Sequence, residues 1–269
     1  MQFFQSKKKW KKQLGVSPSN PASREDAMRV RASRFAVSVA VTLAVLLAGG
    51  VAQAAILADV VWVIDTSGSM GGDIAEVKAR ILEFDTVMTS NGIDARYAAV
   101  RFGGAASLIQ DITDFATFTA PGSPFSLLGA TGGGTEDGSA AIQVALGASF
   151  RATTVRNIIL ITDENDDVAG NRPALAADLA ATAANELINV IRNPGDDDLG
   201  YYAALALANG GLAFNILDFR SDPGPFFTNF TTTKVAEIIE EGGGSVPGPA
   251  AVILMGLGLL VLGIMRRRA

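Results

Sequence analysis

The sequence contains no cysteine and no histidine among its 269 residues. The absence of cysteine excludes disulfide bonds and thiolate metal sites. The absence of histidine excludes histidine-ligated zinc sites and every catalytic arrangement that uses an imidazole as its base. A metal ion bound to this chain must therefore be a hard cation held by oxygen atoms.

Positive charge is scarce in the central part of the chain. Residues 1–54 carry nine of the 22 Lys and Arg residues, and three more lie among the last four residues. Residues 55–249 are left with 10 Lys or Arg against 25 Asp or Glu, a net charge of −15. Such an acidic body is a poor partner for nucleic acid and a better one for cations or basic groups.

The N-terminal segment, residues 1–54, has the pattern of an export signal. Three arginines precede the uncharged stretch 35–48, and small residues follow it. This order predicts a secretory signal helix that signal peptidase cleaves between Ala54 and Ala55. The alternative is an uncleaved N-terminal membrane anchor.

The C-terminal segment combines a linker, an apolar stretch and a basic cluster. Residues 242–249 form a Gly/Pro linker, and residues 250–269 hold an apolar stretch of 16 residues followed by arginines. As a helix the stretch spans about 24 Å, less than the hydrocarbon core of about 30 Å. We expect a short transmembrane helix with its arginines on the cytoplasmic side. If the tail is not removed after export, this helix is a permanent tail anchor.

A Val-Pro-x-Pro motif precedes this apolar stretch. The motif and the basic cluster consist of Val246, Pro247, Pro249, Arg266, Arg267 and Arg268. Their order resembles the PEP-CTERM sorting signal of Gram-negative bacteria, although Gly248 stands where that family usually has Glu. The resemblance implies removal of the tail by an exosortase-like enzyme and at least transient anchoring in the inner membrane. It places the protein at the outer cell envelope or in the extracellular matrix.

Residues 55–241 alternate between strand and helix patterns. Six apolar segments predict strands at Val60–Ile64, Tyr97–Phe102, Ala106–Ile112, Ile158–Thr162, Leu187–Ile191 and Ala213–Phe219. Helical signals predict helices over 74–88, from near Thr135, over Pro173–Asn185, over about Leu199–Ala208 and over about Thr232–Glu240. The alternation predicts one α/β domain, a doubly wound, mostly parallel six-stranded sheet with helices on both faces.

The first predicted strand ends in a carboxylate, Asp65, followed by the hydroxyls of Ser67 and Ser69. This segment can be interpreted as a metal site, as an aspartic-protease motif or as a simple turn. A protease would need a second such aspartate and an all-β fold, and no Gly-x-x-x-x-Gly-Lys-[Ser/Thr] phosphate loop is present. The loop has no evident general base nearby, so we expect no enzymatic activity.

Two further segments supply oxygen ligands. Thr135 follows a run of three glycines, and Asp163 comes directly after the strand Ile158–Thr162. If the first and fourth strands are neighbours, Asp65 and Asp163 face each other where the strand order reverses. Five oxygen groups would then surround one point, and such a set suits Mg²⁺.

Together the three segments resemble the metal-ion-dependent adhesion site of von Willebrand factor A domains, over about residues 57–241. The resemblance implies that Ser67, Ser69 and Thr135 are hydroxyl ligands and that the two aspartates bind the ion directly or through water. It also implies Mg²⁺ as cofactor, with Mn²⁺ or Ca²⁺ as alternatives, and a partner carboxylate at the ion's open position. Glu164 departs from the Gly that is common after the second Asp.

Other acidic residues are secondary candidates. Glu164, Asp166 and Asp167 predict either a second, Ca²⁺-binding site or a solvated acidic loop, and Asp196–Asp198 predict a helix cap, with an ion site as the alternative. For the whole chain we expect an exported adhesion module that binds a protein or matrix partner through a divalent cation. The alternative is an acidic, Ca²⁺-binding structural component of the exopolymer matrix without a specific partner.

Overall fold

The computed structural model describes residues 55–182 and 186–243. The predicted signal helix, the apolar tail helix, its arginines and most of the linker lie outside these residues. Within the described ranges no helix is both long and apolar enough to cross a membrane.

Six strands of the described chain form one sheet. They are β1 Ile56–Asp65, β2 Ile93–Phe102, β3 Ser107–Thr113, β4 Val155–Ile161, β5 Glu186–Arg192 and β6 Ala213–Asn215. Their order across the sheet is β3-β2-β1-β4-β5-β6. All neighbours are parallel except β2 and β3, which form an antiparallel pair. The predicted α/β class, with a mostly parallel six-stranded sheet, is therefore confirmed.

Helices cover both faces of this sheet. They are α1 Gly71–Ser90, α2 Phe115–Phe118, α3 Gly138–Leu146, α4 Arg172–Ala181, α5 Tyr201–Ala208, α6 Ile216–Ser221 and α7 Pro223–Glu241. Among the described residues, three short 3-10 turns lie at Gly68–Met70, Ala169–Asn171 and Asp198–Gly200.

The alternation of side chains along β1 divides the interior into two cores. Trp62 and Ile64 pack with the apolar residues of α1 and α7 on one face. Val61 and Val63 pack with those of α3, α4 and α5 on the other. All four β1 side chains are buried, which explains the continuous apolar run of this central strand.

Several predicted boundaries are wrong. The segment Ala213–Phe219 is a strand only as far as Asn215, and α6 then begins because the Asn215 side chain accepts a hydrogen bond from the Leu217 amide. The helix expected at Thr135 begins at Gly138, where the Asp137 carboxylate accepts a hydrogen bond from the Ala140 amide. The last helix begins at Pro223, nine residues earlier than predicted, since proline suits a first helical turn.

The strand register brings the two predicted aspartates to one edge. Ile64 of β1 pairs with Ile161 of β4, so Asp65 and the residues after Ile161 leave the sheet side by side. The strand order reverses between β1 and β4, and ligands bind at such a point in open α/β sheets. The predicted adjacency of the first and fourth strands is confirmed.

Candidate metal centre

The turn after β1 holds the Asp65 carboxylate in a fixed position. Its Oδ1 accepts a hydrogen bond from the Ser67 amide at 2.8 Å, and its Oδ2 accepts one from the Thr162 hydroxyl at 2.9 Å. Asp65 and Thr162 are both fully buried. The Thr162 hydroxyl also accepts from the Glu164 amide at 3.1 Å, so it ties the turn after β1 to the turn after β4.

A chain of hydroxyls connects this turn to the second aspartate. The Ser67 and Ser69 hydroxyl oxygens lie 3.1 Å apart, and the Ser69 hydroxyl donates to Asp163 Oδ1 at 2.9 Å. Ser67 and Asp163 are buried, whereas Ser69 is exposed. The structure thus brings four of the five predicted ligands into one hydrogen-bonded cluster that opens to solvent at Ser69.

The loop that carries Thr135 borders the same turn. The Thr131 amide donates to the Thr66 carbonyl at 2.8 Å, and the Gly104 amide donates to the Thr135 carbonyl at 2.9 Å. Gly103 lies so close to the turn that an added Cβ would stand 3.1 Å from Asp65 Oδ1. Thr135 itself is exposed and has no side-chain hydrogen bond within the described ranges, so its hydroxyl is available as a ligand.

The electrostatics of Asp65 fit a cation. Burial raises the pKa of Asp65, and the hydrogen bonds from Ser67 and Thr162 oppose this shift. No Lys or Arg of the described chain forms an ion pair with Asp65. A buried carboxylate without a countercharge is costly, and a metal ion is one of the few ways to offset that cost. The donor set of two carboxylates and neutral hydroxyls suits a hard divalent ion.

Two charged residues at this site, Arg220 and Asp73, were not predicted from the sequence. Arg220 of α6 donates from Nη2 to Asp163 Oδ2 at 2.8 Å, and from Nη2 and Nε to Asp73 of α1 at 2.6 and 3.0 Å. The hydrogen bonds to Asp73, in particular, raise the pKa of Arg220 further, so the guanidinium stays charged. Arg220 directly follows the segment Ala213–Phe219 that was predicted as a strand, so no helix was expected to carry it to this site. Thr162 was also missed, although it directly precedes Asp163.

The secondary acidic candidates have other partners. Asp166 is buried, pairs with Arg172 at 2.8 Å and accepts a hydrogen bond from the Ser139 hydroxyl at 2.7 Å. Asp167 accepts from the Glu136 amide at 2.9 Å, while Glu164 is exposed. In the described part of the chain no three carboxylic residues form a group that could hold a metal ion alone. The second ion site stays a prediction.

Carboxyl groups crowd this edge of the sheet. Burial, a hydrogen bond with Asp167 and the charges of Glu164 and Asp65 raise the pKa of Glu136 to about 7. Burial and the neighbouring carboxylates, led by Asp163, also raise the pKa of Glu164. Glu136 was not predicted from the sequence. Its raised pKa follows first from burial, and the local excess of negative charge that adds to it also favours a bound cation.

A polar cavity of about 630 Å³ adjoins the cluster. It is lined by Asp163, Glu164, Asn165, Asn193, Gly195, Asp196, Asp197 and Leu199. Asp197 caps α5 by accepting from the Tyr202 amide at 2.9 Å and also pairs with Arg192. The predicted cap is therefore present, and Asp197 provides it.

Comparisons with known proteins point to one family. The family model for the von Willebrand factor type A domain matches residues 59–225. A search of curated proteins finds no match. A solved von Willebrand factor type A protein from Catenulispora acidiphila is 19% identical, with a TM-score of 0.50 over 68% of this chain and 43% of that one. The chain thus spans less than half the length of that relative.

Two other solved structures are similar at lower scores. Proximal thread matrix protein 1 of the mussel byssus, with zinc in its MIDAS motif, is 15% identical, with a TM-score of 0.45 over 61% of this chain and 42% of that one. The pilus tip protein Mfa5 domain of Porphyromonas gingivalis is 24% identical, with a TM-score of 0.34 over 42% of this chain and 40% of that one.

Proposed function

Because the family model covers more than half of its residues, the chain belongs to the von Willebrand factor type A domain family, and we propose that it coordinates a divalent cation and binds an acidic partner. Domains of this family are typically adhesion and protein-interaction modules. The observation that carries the proposal is the buried Asp65 carboxylate, which pairs with no Lys or Arg of the described residues and lies beside the hydroxyls of Ser67 and Ser69 and the carboxylate of Asp163.

The proposed ligand set is Asp65, Ser67, Ser69, Thr135 and Asp163. Its three hydroxyls are neutral, so only the two aspartates reduce the charge of the ion. Mg²⁺, or Mn²⁺ or Ca²⁺ in its place, would supply a positive charge with a free coordination position for a carboxylate of a protein or matrix ligand. The exposed Ser69 and Thr135 mark the side from which such a ligand reaches the site.

The chain's own residues favour binding over catalysis in this proposal. Thr162 and the Ser67 amide fix Asp65 by hydrogen bonds, and Ser69 with Arg220 fixes both oxygens of Asp163. Neither aspartate is thus placed as a mobile proton acceptor, and the sequence has no imidazole to serve as one. We therefore assign the chain no enzymatic role.

Export belongs to the same proposal. Cleavage between Ala54 and Ala55 and sorting through the Val-Pro-x-Pro segment would deliver the domain to the cell envelope or extracellular matrix. Partners of the exported domain would then be proteins or matrix polymers that carry carboxylates. Intact mass of the exported protein tests both cleavages, and a mass that includes either segment contradicts that cleavage.

Titration calorimetry of the full chain with Mg²⁺ and Mn²⁺ tests the metal site. The unsubstituted chain should bind one ion, and Asp65→Asn should lose this binding. Asp85→Asn is the control, because Asp85 is a partly buried aspartate whose pKa is likewise raised, but it lies on α1 and accepts a hydrogen bond from the Tyr97 hydroxyl. Equal binding by all three chains would reject the proposed site.

The acidic surface favours a second candidate function. The net charge of −15 over residues 55–249 and the cavity with its four carboxylic side chains suit loose collection of Ca²⁺ by a structural matrix component. Weak uptake of several Ca²⁺ ions that survives Asp65→Asn would favour this function. Uptake of a single ion that this substitution abolishes would exclude it.

A further inference from the structure

Arg220 introduces a positive charge into the proposed metal site. Its Nη2 lies 2.8 Å from Asp163 Oδ2, and Asp163 Oδ1 accepts the hydrogen bond of Ser69 at 2.9 Å. Both oxygens of this aspartate thus have a partner from the chain itself. An ion that binds to Asp163 must share the carboxylate with a guanidinium.

The position of Arg220 does not depend on Asp163 alone. Three of its hydrogen bonds, between 2.6 and 3.1 Å, go to the Asp73 carboxylate, which is 3% exposed at the start of α1. A guanidinium matches a carboxylate with two parallel bonds, and such a pair is geometrically rigid. Asp73 therefore holds Arg220 against the site whether or not Asp163 is engaged elsewhere.

The charges of this cluster balance those of a divalent ion. Asp65, Asp163 and Asp73 contribute three negative charges, and Arg220 contributes one positive charge. One divalent cation neutralises the net charge of −2 of these four side chains. Without Arg220 the other three would keep one negative charge after loading, in addition to that of the neighbouring Glu164. That remaining charge would repel an acidic ligand.

We propose that Arg220 sets the balance between cation affinity and ligand affinity at this site. Arg220 weakens binding of the cation because its guanidinium competes with the ion for the Asp163 carboxylate. Its positive charge also offsets the charge of one carboxylate, which leaves the loaded site able to accept an anionic group. The inference rests on the proposed function and assigns to Arg220 a positioning role that acts through Asp163. It also names the partner group, an anion whose affinity for the loaded site falls as the negative charge of that site rises.

Calorimetric titration of the full chain with Mg²⁺ tests whether Arg220 weakens binding of the cation. Removal of one positive charge beside a divalent ion strengthens binding by about tenfold even at the dielectric constant of water. Arg220→Gln should therefore bind Mg²⁺ at least about tenfold more tightly. Arg80→Gln is the control, because Arg80 lies on α1 and pairs with Glu76 and Glu83 outside the site.

A double variant separates direct contact from net charge. Arg220→Gln combined with Asp73→Asn has the same net charge as the unsubstituted cluster but frees Asp163 from the guanidinium. It also leaves no unpaired Asp73, so it stays informative if Arg220→Gln alone folds poorly. We expect it to bind Mg²⁺ more tightly than the unsubstituted chain. Affinity equal to that of the unsubstituted chain would overturn the sharing of Asp163.

Acetate is the probe that tests whether Arg220 favours binding of an anion to the metal-loaded site. Water-proton relaxation of Mn²⁺-loaded chains reports displacement of metal-bound water by acetate, and Arg220→Gln should need several-fold more acetate for the same displacement. An unchanged acetate titration, or unchanged Mg²⁺ affinity in Arg220→Gln, overturns the role of Arg220 while the metal site stands. Failure of the unsubstituted chain to bind Mg²⁺ or Mn²⁺ instead overturns the proposed function.

Discussion

Substitution of Asp65 by Asn should stabilise the metal-free chain and abolish its stabilisation by Mg²⁺. Asp65 is fully buried, accepts only neutral donors, and has no cationic partner in the described chain. The desolvation of such a carboxylate costs several kcal/mol, of order 3 kcal/mol. Asn keeps the volume and can still accept from the Ser67 amide, but its NH2 group must donate to the Thr162 hydroxyl where the carboxylate accepted. The loss of charge assistance costs about 1 kcal/mol for each bond. The net gain in unfolding free energy without metal is about 1 kcal/mol.

The pH dependence of stability provides a second signature of the same residue. Burial raises the folded-state pKa of Asp65 above its ordinary value of 3.8, so the folded chain takes up this proton before the unfolded chain does. Stability of the metal-free chain should therefore rise as the pH falls from the raised pKa towards 3.8. This part of the pH dependence should be missing in the Asn variant, because the amide does not titrate.

Urea unfolding of the full chain, with EDTA and with excess Mg²⁺, measures both effects. A Mg²⁺ concentration of 100 times the dissociation constant should stabilise the unsubstituted chain by about 2.7 kcal/mol and leave Asp65→Asn unchanged. Asp85→Asn serves as control and should retain the full response to Mg²⁺. A loss of 2 kcal/mol or more in EDTA, or a normal Mg²⁺ response by Asp65→Asn, would refute the reasoning.

Three further predictions concern two buried ion pairs of the fold and the glycine-rich loop beside the site. Lys234→Met should cost about 3 kcal/mol in urea unfolding, because it breaks a buried ion pair. Burial also lowers the pKa of Lys234 to about 8, so the unfolding free energy of the unsubstituted chain should rise from pH 8 towards 10, and this rise should be smaller in the variant. Arg151→Met should also cost about 3 kcal/mol, since it leaves the fully buried Asp59 without a countercharge; a loss under 1 kcal/mol would contradict this. Gly133→Ala should weaken Mg²⁺ binding about tenfold in calorimetry, because its Cβ would stand 2.0 Å from the backbone oxygen of Gly103, just after β2. Gly134→Ala is the control and should bind Mg²⁺ normally, because its Cβ has open space around it. Equal Mg²⁺ affinities of the two variants would show that this loop does not position a ligand.

The central sheet and the two aspartates were accessible from the sequence for a physical reason. A strand buried on both faces is an uninterrupted apolar run, and β1 and β4 have this pattern. A carboxylate directly after such a run must lie at the sheet edge, so Asp65 and Asp163 could be placed without coordinates. Ser67 and Ser69 follow on the same turn and share its position.

The residues that the sequence did not reveal depend on long-range packing. Arg220 reaches Asp163 from 57 positions along the chain, through a helix that begins because Asn215 caps it. Glu136 meets Asp167 only because the glycine-rich loop passes over the turn after β4. No local pattern encodes such meetings, since each is decided by where a neighbouring element packs.

Diffraction from a crystal of the chain with Mn²⁺ tests the central claim most directly. The account predicts an anomalous peak bounded by Asp65, Ser67, Ser69, Thr135 and Asp163, with ligand oxygens at about 2.1–2.3 Å. It is contradicted by an ion bound only in the neighbouring cavity, or by a site between these five residues that stays empty at saturating Mn²⁺.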